Sequence, residues 1–256
     1  DGNPLAELRD RLDIRPDKQL YSWVGATAPQ WFVNQAADKI INGKAKVALI
    51  CGGESIHSKK IKSKAEGSSF EQWIFPLKEP WMAGDLLDPL TPEEMKYSLI
   101  LPIHIYPLFE NAMRHHESLS IDAHRNELGD FCAEFSSIAS SNEFAWFTTQ
   151  KSKEEIVTLS ESNPMTAFPY TRFMCSIMQV DQAAALFITD EQTAKGLGIP
   201  RHKWIYLLGS GDAYDIWHVS ERINFYSSPS VKVAAEKAME QADVTLESID
   251  LFDLYS

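Results

Sequence analysis

The chain has 256 residues, of which 44% are hydrophobic, 23% charged and 11% aromatic. That usage supports a real apolar core and excludes low-complexity disorder, collagen and coiled coil, and the length suits one large domain or two small ones. A net charge of −12, from 24 Lys+Arg and 36 Asp+Glu, repels polyphosphate and argues against nucleic acid and anionic membranes as general partners.

Three blocks follow one another along the chain. In residues 1–56, Pro4 to Leu12 reads as a short amphipathic helix and Leu20 to Val24 as a strand, with Gly25-Ala26-Thr27-Ala28-Pro29 as its exit turn. Phe32, Val33, Ala36, Ala37, Ile40 and Ile41 fall on one helical stripe, and Gly43 is placed as its C-terminal stop. The apolar run Val47-Ala48-Leu49-Ile50-Cys51 ends at Gly52-Gly53 and suits a strand buried on both faces of a parallel sheet. Strand, helix and strand then make one right-handed βαβ unit.

Residues 57–169 change character. Lys59, Lys60, Lys62 and Lys64 form a basic run read as a loop, prolines and tryptophans crowd Trp73 to Pro92, and Asn126 to Ile138 is helical. With no strand alternation, the block reads as an irregular, mainly helical insertion. Residues 170–256 return to α/β. Val180 to Ile188 is a strand, and Thr189-x-x-Gln192 matches a capping box for a helix stopped at Gly196-Leu197-Gly198-Ile199-Pro200. Trp204 to Leu208 is a second strand, Gly209-Ser210-Gly211 a turn, Ser228-Pro229 the start of a helix to about Gln241, and Ile249 to Tyr255 a last strand.

Cys51, Cys132 and Cys175 are odd in number, far apart and lack CxxC spacing, which fits a reducing compartment and neither disulfides nor a zinc knuckle. The run Tyr97 to Phe109 is interrupted by Pro102 and Pro107 and is too short for a membrane span. The N-terminal DGNPLAELRD shows no signal-peptide pattern and no initiator Met, so the expectation is a cytoplasmic chain that is a fragment or a processed product.

Five segments in order carry a family resemblance. Asn163-Pro164-x-x-x-Phe168-Pro169-Tyr170-Thr171-Arg172-x-Met174, followed by Val180-Asp181-Gln182-Ala183-Ala184-Ala185, resembles the start of the C-terminal half of a thiolase. Gly43-x-Ala45-x-Val47-Ala48-Leu49-x-x-Gly52-Gly53-Glu54-Ser55, Leu197-Gly198-Ile199-Pro200, and Arg222 with Ser228-Pro229 agree in order and spacing. The terminal Ile249-Asp250-Leu251-Phe252-Asp253-Leu254-Tyr255-Ser256 also fits. The branch it resembles includes sterol-carrier-protein thiolases and thiolase-like proteins.

The resemblance implies a layered α/β/α/β/α fold of two similar halves with a mainly helical loop domain inserted in the first. Residues 1–56 would be part of the N-terminal half, 57–169 the loop domain and 170–256 part of the C-terminal half, both halves being incomplete in this chain. It also implies acyl transfer on coenzyme A thioesters, with acyl-CoA as substrate, no permanently bound cofactor, a homodimer and, for some members, a small partner subunit. The family's nucleophilic cysteine falls at about Thr27, and a threonine hydroxyl needs a dedicated base to attack a thioester. The oxyanion motif falls at Tyr255-Ser256, where the Tyr255 phenol is a hydrogen-bond donor, and the Gly-His-Pro and Cys-x-Gly motifs would lie beyond Ser256.

Other side chains carry two readings. Cys51 at the end of a buried strand reads as a small core residue, and Cys132 and Cys175 also read as packing. His115 and His116 point to different helix faces, so they are a solvated pair rather than a joint metal site, with His116 the candidate substrate contact. The lysine run is either a solvated loop or a contact for the coenzyme A phosphates. Tyr170, Thr171 and Arg172 are either structural or substrate contacts. Asp181-Gln182, read as a buried polar pair, needs partners and either floors a site or caps a neighbouring loop. Three activities remain open: acyl transfer, retro-aldol carbon–carbon cleavage of a CoA thioester with Tyr255 as acid or base, and a non-catalytic CoA-binding or scaffold role.

Overall fold

A computed structural model describes residues 4–22, 25–67, 82–84 and 87–254. Its elements begin with α1 (Pro4–Leu12), β1 (Tyr21–Ser22), α2 (Ala28–Ile41), β2 (Val47–Ser55) and α3 (Ile56–Glu66). After β3 (Met82–Ala83) come four helices, α4 (Pro92–Lys96), α5 (Pro102–His116), α6 (Ile121–Ser141) and α7 (Lys153–Val157). Then follow β4 (Met165–Ala167), β5 (Tyr170–Thr171), β6 (Asp181–Thr189), α8 (Glu191–Gly196) and α9 (Pro229–Ala242). Contacts divide the chain into one unit of residues 1–87, 178–213 and 231–256 and a second of residues 88–177 and 214–230.

The first unit is organised by β2 and β6. They pair antiparallel over nine positions, from Val47 opposite Thr189 to Ser55 opposite Asp181, and α2 packs against both strands. The βαβ expectation is therefore corrected, because β1 pairs in parallel with β3 instead of joining β2. An apolar run announces a strand but carries no information about the direction or identity of its neighbour. Cys51 is corrected as well. It is exposed, since the described ladder has only two strands and its outer positions have no further neighbour.

Helix ends follow their local chemistry. Asn42 caps α2 by donating its side-chain amide to the Asp38 carbonyl at 2.7 Å, and Gly43 turns the chain away at φ +68°. The lysine run lies on α3, not in a loop. Asp190, rather than Thr189, caps α8 by accepting from the Thr193 N–H at 2.8 Å, while the Thr189 hydroxyl donates to the Lys46 carbonyl. Trp204–Leu208 and residues 249–254 form no ladder among the described residues; of the strand expected at Leu20–Val24, Tyr21–Ser22 forms β1, and Trp23 and Val24 lie outside those described. The segment Gly209-Ser210-Gly211 lies flat on α9. A methyl at Gly209 would stand 2.0 Å from the Ala238 carbonyl oxygen, and one at Gly211 would stand 2.1 Å from that of Ala234.

The second unit is mainly helical and is held by buried polar groups. Pro102 opens α5, which continues through Pro107, and the helix expected at Asn126–Ile138 lies within α6. At Gly129 a methyl would come within 2.6 Å of a Val157 methyl, so α6 and α7 approach too closely for any side chain there. Ile156, Asn163, Pro169 and Thr171 are its most deeply buried side chains. Glu94 caps α4 reciprocally with Thr91 and also accepts the Ser220 N–H at 2.8 Å, which ties the 214–230 segment to α4.

Candidate functional site

In the first unit, Thr27 sits at the N-terminus of α2. It has near-helical backbone angles, an exposed side chain and no side-chain capping bond. Fourteen aligned peptide dipoles concentrate positive potential at that end, a setting that favours negative charge developing nearby. No acid, base or thiol among the described residues hydrogen-bonds the Thr27 hydroxyl, so none of the described side chains is positioned to deprotonate it.

The second unit holds the other described candidates, and it separates them into buried and accessible groups. Asn163 is wholly buried; its amide donates to the carbonyls of Glu155, Ile156 and Thr158 and its Oδ1 accepts the Phe173 N–H at 2.9 Å. Thr171 is wholly buried too, with its hydroxyl donated to the Ile156 carbonyl at 2.7 Å. The Tyr170 phenol donates to Glu110 Oε2 at 2.5 Å, bridging β5 to α5. Burial, and then the Glu110 carboxylate, push the Tyr170 phenol far above its usual range, so it is a fixed proton donor and not a base.

His124 closes this cluster from α6. Its Nε2 stands 2.8 Å from Glu110 Oε1 without the alignment of a hydrogen bond, and its buried Nδ1 has no partner among the described residues. Burial, with Cys175 and Glu110 nearby, raises the Cys132 thiol, while Cys175 donates to the Thr171 carbonyl. A thiol held protonated is a weak nucleophile, which agrees with a packing role for Cys132.

Arg172 and His116 are the accessible members. Arg172 is exposed and makes no ion pair among the described residues, while the exposed His116 ring stacks on Tyr226 at 4.1 Å with 7° between planes. The motif residues Arg222 and Ser228 meet at the Asp215 carboxylate, which accepts from both. Burial would raise Asp215, but the Ser228 hydroxyl, the Ile216 N–H and the Arg222 charge together hold it below the usual carboxylate range. Tyr255 lies outside the described residues.

Asp181 has the capping role. Its carboxylate accepts the N–H and hydroxyl of Ser58 in the first turn of α3, at 3.1 and 2.6 Å, and those bonds hold its pKa down. It is partly exposed and Gln182 is exposed, which corrects the expectation of a buried pair. Glu110, His124 and Asp215 were missed by sequence reasoning. Glu110 lies 60 residues from Tyr170, and no local spacing announces such a pair. Among the described residues no group of three side chains is placed to hold a metal, and no helix is long and apolar enough to cross a membrane.

No family model matches the sequence. Among solved structures, the chain is similar to a monomeric SCP2-thiolase-like protein type 1 from Mycobacterium smegmatis, at 29% identity and a TM-score of 0.73. That match covers 91% of this chain and 44% of the other. It also resembles an Ltp2-ChsH2(DUF35) aldolase at 14% identity, TM-score 0.57, covering 88% of this chain and 52% of that one, a likeness of fold alone. The chain therefore spans about half the length of these structures. Its fold is a thiolase-like mixed α/β fold.

Proposed function

We propose that the chain is part of a thiolase-like protein that binds acyl-CoA thioesters and takes part in acyl transfer from them. The observation that supports this is the 29% identity, over 91% of the chain, to an SCP2-thiolase-like protein. Arg172 and His116 are the proposed contacts to the ligand, as exposed groups suited to phosphate and adenine, while Tyr170 and Thr171 hold the segment that presents Arg172. Thr27 stands at the family's nucleophile position and Tyr255 at its oxyanion position. Because that relative is described as monomeric, we propose no homodimer; a small partner subunit, as in the Ltp2-ChsH2 assembly, remains part of the proposal.

One observation favours a second reading. Thr27 offers a hydroxyl, with no base on it among the described residues, in place of a thiolate, which suits carbon–carbon cleavage of a CoA thioester by retro-aldol chemistry better than a covalent acyl-enzyme. Calorimetric titration of the full-length protein with coenzyme A and acetyl-CoA tests the binding, expected at about micromolar Kd. Absence of heat at millimolar ligand overturns the proposal. Intact mass after acetyl-CoA then separates the readings: an acetyl adduct supports a covalent acyltransferase, and its absence favours the lyase. Binding without adduct or turnover of any thioester leaves a scaffold.

A further inference from the structure

The outer face of α6 is the observation. Phe131, Phe135 and Ile138 lie at i, i+4 and i+7 and are 60%, 60% and 64% exposed, and the Phe131 and Phe135 rings touch with centroids 4.9 Å apart. The loop after α6 adds Phe144 and Phe147, at 83% and 69% exposed. Large apolar side chains gathered on one face in this way mark an interaction surface rather than ordinary surface scatter. The opposite side of α6, at Gly129, is the one packed on α7.

Charge narrows the occupant. From Asn126 to Gln150 the chain carries Glu127, Asp130, Glu134 and Glu143 and no Lys, Arg or His. Asp130 pairs with Lys153, but Glu127, Glu134 and Glu143 have no ion-pair partner among the described residues. Glu127 and Glu134 flank the stripe on the same helical face, at i−4 and i+3 from Phe131. An anionic lipid surface is repelled by this arrangement, and a second copy would bring like charges together.

We infer that the α6 stripe docks a basic amphipathic helix of a partner protein, whose apolar ridge covers Phe131, Phe135 and Ile138 while its Lys or Arg residues meet Glu127 and Glu134. Helix-against-helix recognition supplies apolar anchors at i, i+4 and i+7, the spacing present here.

The test uses the full-length protein and two synthetic helical peptides, one patterned with Leu and Lys, the other with the same Leu positions and Glu for Lys. Fluorescence anisotropy is expected to show salt-sensitive binding of the Leu/Lys peptide and at least about tenfold weaker binding of the Leu/Glu peptide. Phe131→Ala with Phe135→Ala should weaken the Leu/Lys peptide about tenfold or more, and Glu127→Gln with Glu134→Gln should weaken it severalfold and flatten its salt dependence. Equal binding of both peptides, or unchanged binding by both double variants with circular dichroism intact, overturns the inference. Two further results also overturn it: a dimer in sedimentation that the phenylalanine substitutions dissolve, and stripe residues shielded from hydroxyl-radical footprinting in the isolated full-length chain.

Discussion

Each of the two units of this chain is stabilised internally by its own kind of contact. The first rests on a two-stranded ladder with one helix laid against it, and much of its apolar surface, such as Phe187 on β6, is exposed among the described residues. The second buries few apolar side chains but surrounds Asn163, Thr171, Glu94 and Asp215 with matched donors and acceptors. Burying a polar group costs free energy unless each of its hydrogen bonds is replaced, so such a network tolerates almost no change of register or rotamer. The first unit depends on fit between backbones and the second on satisfaction of individual atoms.

The largest expected effect breaks that satisfaction. Asn163→Ala strands the Glu155 and Thr158 carbonyls and the Phe173 N–H, while the Ile156 carbonyl keeps the Thr171 hydroxyl, and at about 1–3 kcal/mol per orphaned group the loss should reach roughly 3–5 kcal/mol. Hydrogen exchange should show the amides of α7 and β5 losing protection while those of β2 and β6 keep theirs; uniform loss would erase the contrast between units. Next comes Gly211→Ala, whose methyl has no room beside α9 and should cost about 1–3 kcal/mol, read as a lowered denaturation midpoint with β2 and β6 affected. Thr171→Val removes one of the two donors to the Ile156 carbonyl, which keeps the Asn163 amide, and should cost about 1 kcal/mol in the second unit.

Acid sharpens the same comparison. Burial alone would raise Glu94, but the N–H groups of Ser220 and Thr91 hold its carboxyl below the usual value of about 4.3. A carboxyl depressed in the folded state adds stability that is fully present above the unfolded value and is lost as pH falls through the folded one. Glu94→Gln should therefore flatten the acid limb of the second unit's stability below about pH 4.3, measured by urea denaturation across pH. A limb of unchanged slope would remove Glu94 from that role. The smallest effect belongs to Thr27→Ala, because an N-cap that makes no bond has none to lose; the stability change should stay within about 0.5 kcal/mol.

Apolar spacing and capping chemistry were readable along the chain, and long-range polar pairing was not. The helices at Pro4–Leu12 and Ala28–Ile41 follow from 3.6-residue periodicity and their end residues, and the start of α9 follows from Ser228-Pro229. The runs that became β2 and β6 were recognisable as strands, yet nothing in either run named the other as its antiparallel partner. Cys51 shows the cost, since an apolar run implies a covered sheet and the two described strands leave this residue exposed. Motif resemblance marks Tyr170 and Thr171, while the roles of Glu110 and His124 depend on α5 and α6 lying beside β5.

The carboxylate of Asp181 and the hydroxyl of Thr189 do more than close the ends of β6. The middle of the β2–β6 ladder sets Cys51, Gly52 and Gly53 against Ala185, Ala184 and Ala183, side chains so small and alike that a shift of two residues would change little packing. Such strands are prone to slide. At one end Asp181 grips Ser58, and at the other Thr189 grips the Lys46 carbonyl. Any slip would release both grips at once, so two hydrogen-bonding side chains act as pins at the ends of a ladder whose small-residue stretch has little of its own to choose its alignment.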